Sequence, residues 1–102
     1  MINVLDYIKL IMEKKKWTQA KLVEELNRIE KIIGDNKTQK QQVSEYLNGV
    51  FPFRPKILIK WELALGLKEG TLANMVSPPM TKEGKEELKK TIENIRKARK
   101  EL

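Results

Sequence analysis

The stretch TQKQQVSEYLNG, Thr38 to Gly49, gathers side chains whose types and spacing could do recognition chemistry. Its first five residues are polar, three of them glutamine, and apolar side chains enter only at Val43, Tyr46 and Leu47. On a helix turning about 100° per residue, those three share one side. Gln41, Glu45 and Asn48 fall opposite, Gln42 and Ser44 lie on the flanks, and Lys40 sits near the N-terminal end. Such groups suit the edges of nucleic-acid bases. Glutamine or asparagine makes paired hydrogen bonds to adenine, lysine reaches guanine, and a carboxylate accepts from the cytosine amino group. Glutamine and asparagine also serve as plain soluble surface on helices, and the surrounding elements distinguish the two uses.

Little other chemistry is open to this composition. Among 102 residues there is no cysteine and no histidine. That excludes thiolate and imidazole zinc sites, Cys-His and Ser-His nucleophile pairs, and a histidine acid or base near neutral pH. The carboxylates sit mostly beside lysines in helical patterns, as solvated surface does, and neither a glycine-rich phosphate loop nor a calcium-binding spacing is present. No catalytic residue, metal or cofactor is expected, and the chain is not expected to be an enzyme. No apolar run approaches the ~20 residues needed to span a bilayer. The opening MINVLDYIKL lacks the layout of a secretory signal, and without cysteine nothing calls for an oxidising compartment. A soluble cytoplasmic protein at the nucleoid, without a membrane partner, is the expectation.

The net charge of +7 is unevenly placed. Residues 37–60 carry five basic groups against one acidic, and residues 81–102 eight against five. Residues 1–36 carry seven against six and residues 61–80 one against two. A cationic excess around the opening stretch suits a polyanion, most often nucleic acid.

The periodicity around it is helical almost throughout. Val4, Leu5, Ile8, Ile11 and Met12 form one stripe closed by Lys14-Lys15-Lys16, whose cations suit a helix C-terminus. Thr18 is a natural N-cap for a second helix, or two short ones, through Leu22, Leu26, Ile29 and Ile33 to a stop at Gly34. Thr38 and Gln41 have capping-box spacing, which predicts a third helix starting at the opening stretch and ending at Asn48-Gly49. VFPFRP is extended because prolines at 52 and 55 block helix, and Pro55 suits the first turn of a fourth helix centred on Trp61. A fifth helix is predicted over about Glu69–Val76, burying Leu72 and Met75. SPPM then marks a linker over 77–81, between a domain at 1–76 and a charged amphipathic helix at 82–102. Leu88, Ile92, Ile95 and Leu102 lie on one stripe of that last helix, which would dock on its own domain or on a dimer partner.

In this order the chain resembles the lambda-repressor and Cro-like helix-turn-helix family, also called the xenobiotic-response-element family. The resemblance covers about residues 3–76. It is carried by Thr18-Gln19 followed by Leu22 and Val23, and by TQKQQVSEYLNG in the place of the recognition helix. RPKILIKWELALGL, with its Ala-Leu-Gly-hydrophobic turn, stands in the place of the fourth helix and LKEGTLANMV in that of the fifth. It implies an all-α, five-helix DNA-binding domain, here with an extended second helix and an added C-terminal helix. The implied protein is a bacterial or phage repressor-like transcription regulator binding double-stranded DNA, commonly as a homodimer. By position, Lys40, Gln41, Gln42, Ser44 and Glu45 would read bases, and Gln19, Asn48, Arg54, Lys56 and Lys60 would touch phosphates. One departure is clear. The family joins helices two and three by a turn of about three or four residues, whereas NRIEKIIGDNKT, Asn27 to Thr38, intervenes here as a lengthened helix two and a longer loop. That added surface, or the C-terminal stripe, motivates an alternative: a protein-interaction module such as an antitoxin or antirepressor on the same fold.

Overall fold

In the computed structural model, which describes residues 3–102, Asn3 starts α1 (Val4–Lys15) by accepting the Asp6 amide at 2.8 Å. Met1 and Ile2, included in the expected 1–76 domain, lie outside the described residues. Lys16 leaves α1 in a left-handed conformation, φ 57°. Thr18 then starts α2 (Gln19–Ile33), its hydroxyl accepting the Lys21 amide at 3.2 Å. α2 is one unbroken helix of 15 residues, and Gly34 ends it at φ 73°, where a side chain would be strained.

The third helix starts later than the capping-box spacing predicts. α3 runs Lys40–Leu47 and its N-cap is Gln39, whose amide donates to the Gln42 side-chain carbonyl at 3.0 Å. Thr38 is no cap, because it donates both its amide and its hydroxyl to the Glu30 carboxylate of α2, at 3.1 and 2.7 Å. After an extended segment, α4 (Pro55–Ala64) opens with proline in its first turn and ends before Gly66, φ 74°. The last helix, α5 (Lys82–Glu101), is capped by Thr81, whose hydroxyl accepts the Gly84 amide at 3.0 Å. The described residues contain no strand, so the architecture is all-α.

The predicted fifth helix over Glu69–Val76 is replaced by a single 3₁₀ turn, Ala73–Met75. The reason is Glu62, 0% exposed on α4. Its carboxylate accepts the amides of Gly70, Leu72 and Ala73 at 3.1, 2.7 and 2.8 Å, which draws the backbone around it before a helical turn can be completed. Leu72 is buried as expected, but Met75 is 38% exposed.

One core joins all the helices. Ile8 and Met12 of α1, Leu22, Leu26 and Ile29 of α2, Val43 and Leu47 of α3 and Leu58, Trp61 and Leu63 of α4 meet Ile95 and Ala98 of α5. The C-terminal helix therefore docks on its own chain, against α4 and α2. Leu88 and Ile92 pack on the core's edge, Ala98 continues the stripe, and Leu102 leaves it at 53% exposed. The Cα radius of gyration, 13.0 Å, equals the ~13 Å of a folded 100-residue domain, which a trailing tail would exceed. Arg96 grips Glu69 with two hydrogen bonds, at 2.8 and 3.2 Å, and the Arg99 guanidinium donates to the Leu67 carbonyl at 2.8 Å.

Removing the Glu62 acceptor orphans three amides, so Glu62→Ala is expected to cost about 3 kcal/mol or more and Glu62→Gln about 1–3 kcal/mol, read as shifts of the urea midpoint. Stability is also expected to fall in acid. The Arg96 hydrogen bond holds the Glu69 carboxyl below its usual range, and the Arg28 hydrogen bond does the same for Glu25. A folded pKa depressed in this way contributes stability above the ordinary value of 4.5 and loses it as pH falls through the folded value. Thermal melts should show a lower midpoint at pH 3 than at pH 6, with Glu69→Gln removing part of that difference.

Candidate nucleic-acid interface

The short helix α3 is held from behind by Val43 and Leu47, both buried, and by Tyr46. Tyr46 lies 5.2 Å from the Phe53 ring, 5.6 Å from Phe51 and 5.8 Å from Trp61. This cluster fixes the C-terminal half of α3 against α4 and the extended segment between them. Lys40, Gln41 and Asn48 are exposed and Ser44 and Glu45 half-buried, so the polar set lies along the helix away from that packing. Two contacts run along it. Gln41 donates its amide to Glu45 at 2.9 Å, and Asn48 donates to the Ser44 hydroxyl at 3.3 Å. Each is a 4-residue step along the helix, and the Gln41 carbonyl, the Asn48 carbonyl and the second Glu45 oxygen take no part in these contacts. The first turn of α3 contains no acidic residue, so its positive helix end is unopposed there.

Gln42 does not belong to this set. Its carbonyl is engaged by the Gln39 amide, and it lines a separate depression with Asn36, Thr38 and Lys60. It therefore caps the helix instead of extending the outward set, a role its flanking position left open.

Lys60 is the clearest correction to the expected phosphate contacts. Its side chain is only 11% exposed and its ammonium bridges Glu30 and Asp35, each at 3.2 Å. Burial acts against the Asp35 carboxylate, but the Asn36 amide and Lys60 outweigh it and hold this carboxyl below its usual range. The charge that looked like surface in the sequence is spent inside the fold.

The other expected phosphate contacts form two groups. Gln19, exposed at the start of α2, and Asn48, exposed at the end of α3, line one shallow depression. Lys9 of α1 shares that depression, as does Glu13. Lys9 is a cation that sequence reasoning missed, since nothing in its helical position separates it from other surface lysines. Arg54 and Lys56 form the second group, at the N-terminus of α4, where the helix dipole also favours an anion. Lys56 is paired with Glu87 of α5. The hydrogen bond from Lys56 holds the Glu87 carboxyl below its usual range. Among the described residues Lys9, Lys40 and Arg54 make no ion pair. No cluster of acidic or metal-ligating side chains that could hold a metal is present among the described residues. No described helix is long and apolar enough to cross a membrane.

Comparison with protein-family models, curated proteins and solved structures finds no match to this chain.

A buried lysine and a solvated one respond differently to truncation. Lys60→Ala, which leaves Glu30 buried without its cation, is expected to destabilise by about 3–5 kcal/mol. Arg54→Ala, at an exposed position, should stay within about 0.5 kcal/mol. Chemical denaturation of the two variants checks both.

Proposed function

We propose that the chain is a sequence-specific DNA-binding regulator of the lambda-repressor and Cro-like helix-turn-helix kind, which lays α3 in the major groove as one half of a homodimer. The observation that carries this reading is the polar set on α3: Lys40, Gln41, Ser44, Glu45 and Asn48 lie along one short helix whose opposite side is anchored by Val43, Tyr46 and Leu47. Amide, hydroxyl, ammonium and carboxylate groups on a rigid support are what base edges require. Gln19 beside Asn48, and Arg54 with Lys56 at the α4 N-terminus, supply groups for the phosphates on either side.

Roles divide by chemistry. Gln41 presents an amide carbonyl and, once Glu45 turns to a cytosine amino group, a free amide donor. Lys40 reaches guanine or a phosphate. Gln19 and Asn48 position the helix through hydrogen bonds without releasing counterions, whereas Arg54 and Lys56 neutralise phosphates and set the salt dependence. For phosphate to take Lys56, the Glu87 contact must open. Both groups are solvent-exposed there, so the opening costs little.

A protein-interaction role draws less support than the sequence suggested. Leu88, Ile92 and Ile95 pack on the chain's own core, which removes the tail stripe as a free surface. Exposed apolar side chains remain at Val50 and Phe51, 61% and 43% exposed.

Affinity for a duplex selected from a random pool is expected to fall steeply with salt, with Arg54 and Lys56 together contributing about −1.8 to the slope of log affinity against log salt. Lys56→Ala should weaken selected and scrambled duplexes alike and reduce the slope by about 0.9. Gln41→Ala should cost about 1–3 kcal/mol on the selected duplex and little on the scrambled one. Fluorescence anisotropy titrations over a salt series measure all three, and equal effects of the two substitutions on both duplexes would contradict the division of roles.

A further inference from the structure

The N-terminal end of α3, which carries Lys40 and Gln41, has few supports of its own. α3 has 8 residues, its first turn is capped only by glutamines, and no residue of it before Val43 is buried. The loop that leads into it, residues 34–39, is held to the body of the protein through two side chains, Glu30 and Lys60. Glu30, 1% exposed on the extended part of α2, accepts the Thr38 amide and hydroxyl at 3.1 and 2.7 Å and the Lys60 ammonium at 3.2 Å. Lys60 in turn holds Asp35 at the loop's start, at 3.2 Å. The residue before the N-cap is thereby fixed relative to both α2 and α4.

From this geometry we infer that Glu30 is a positioning residue for base recognition: it touches no DNA but sets the tilt of α3, and through it the discrimination made by Lys40 and Gln41. The inference rests on the DNA-binding reading above. Its physical basis is leverage. Lys40 lies about 4.5 Å beyond the buried Val43 at about 1.5 Å rise per residue, so a tilt of about 15° about Val43 would displace it by roughly 1 Å. That displacement breaks a hydrogen bond to a base edge, whose useful range is a few tenths of an ångström. The phosphate groups at Gln19, Arg54 and Lys56 lie on α2 and α4 and would not move with it. Releasing the clamp therefore lowers specific binding and leaves the electrostatic, sequence-independent part in place.

Two substitutions release it to different degrees. Glu30→Gln removes the charge that holds Lys60 and keeps an acceptor for the Thr38 amide. Thr38→Val removes only the hydroxyl donor, at a half-buried site that accepts an isosteric side chain. The experiment measures affinity of the full chain for a duplex selected from a random pool and for a scrambled duplex of equal length, across a salt series, with thermal melts run alongside. The expected result for Glu30→Gln is a fall in the selected-to-scrambled ratio of about tenfold, the discrimination one good paired base contact supplies. Thr38→Val should give a smaller fall in the same direction, and both variants should keep the parent's salt slope. A merely structural role would lower the melting temperature and leave the ratio of the folded protein unchanged. An unchanged ratio in both folded variants, or equal weakening on both duplexes, overturns the inference while leaving DNA binding intact. If Glu30→Gln does not fold, Thr38→Val alone decides. Absence of salt-dependent binding by the parent protein to any duplex overturns the DNA-binding reading itself, and this inference with it.

Discussion

A carboxylate turned inward from a helix must find donors, because an ion taken out of water costs several kcal/mol until it is paired and hydrogen-bonded. Glu30 meets that requirement with Thr38 from the loop and Lys60 from α4. Its demands therefore dictate where the loop after α2 returns and how α4 crosses. The lengthened part of α2 lies on the body through Ile29, buried, with Ile32 and Ile33 packed against the core, and the loop that follows is tied back to it at Glu30. α3 packs on α2, its end at Asn48 lines the same depression as Gln19, and Val43 and Leu47 enter the core.

The second buried carboxylate works in the same way on the other side of α4. Glu62 collects three amides from the segment after Gly66 and turns it into a tight loop with one 3₁₀ turn. That loop places Glu69 and the Leu67 carbonyl where Arg96 and Arg99 of α5 reach them. α4 is thus the central element: apolar through Leu58, Ile59, Trp61 and Leu63, with Lys60 and Glu62 aimed at its two neighbouring loops. Trp61 also closes the aromatic cluster with Tyr46 and Phe53, so the support behind α3 and the seat for α5 share one helix.

The cationic excess in residues 37–60 looks different once folded. Lys60 is internal and Lys56 is met by Glu87, which leaves Lys37, Lys40 and Arg54 as the cations of that segment without an ion pair among the described residues, joined from α1 by Lys9. Local charge along the chain is a sum over neighbours in sequence, and the field at a surface is a sum over neighbours in space. The amides on α3 behave similarly. Gln41 is held by Glu45 and Asn48 by Ser44, so part of the polar side of α3 is hydrogen-bonded within the helix.

Much of the architecture was legible in the residues because it depends on neighbours three or four positions away. The Thr18 cap, the stop at Gly34, proline in the first turn of α4 and the stripes of α1, α2 and α5 are local, and so is the separation of Val43, Tyr46 and Leu47 from Lys40, Gln41 and Asn48. The choice between equivalent polar partners was not legible. Thr38 could cap a helix or bind a distant carboxylate, Gln42 could face outward or cap, and Lys60 and Glu62 could be solvated or buried. In each case the sequence supplies a group able to do both. For Thr38, Lys60 and Glu62 a partner 8, 30 or 10 residues away decides the outcome, and for Gln42 the Gln39 amide three residues back does. By itself, then, the sequence determined the all-α character, most helix limits and the polar side of α3. Only the tertiary structure decided which charges hold that helix and which are left at the surface, because burial makes an unpaired ion too costly and forces long-range pairing.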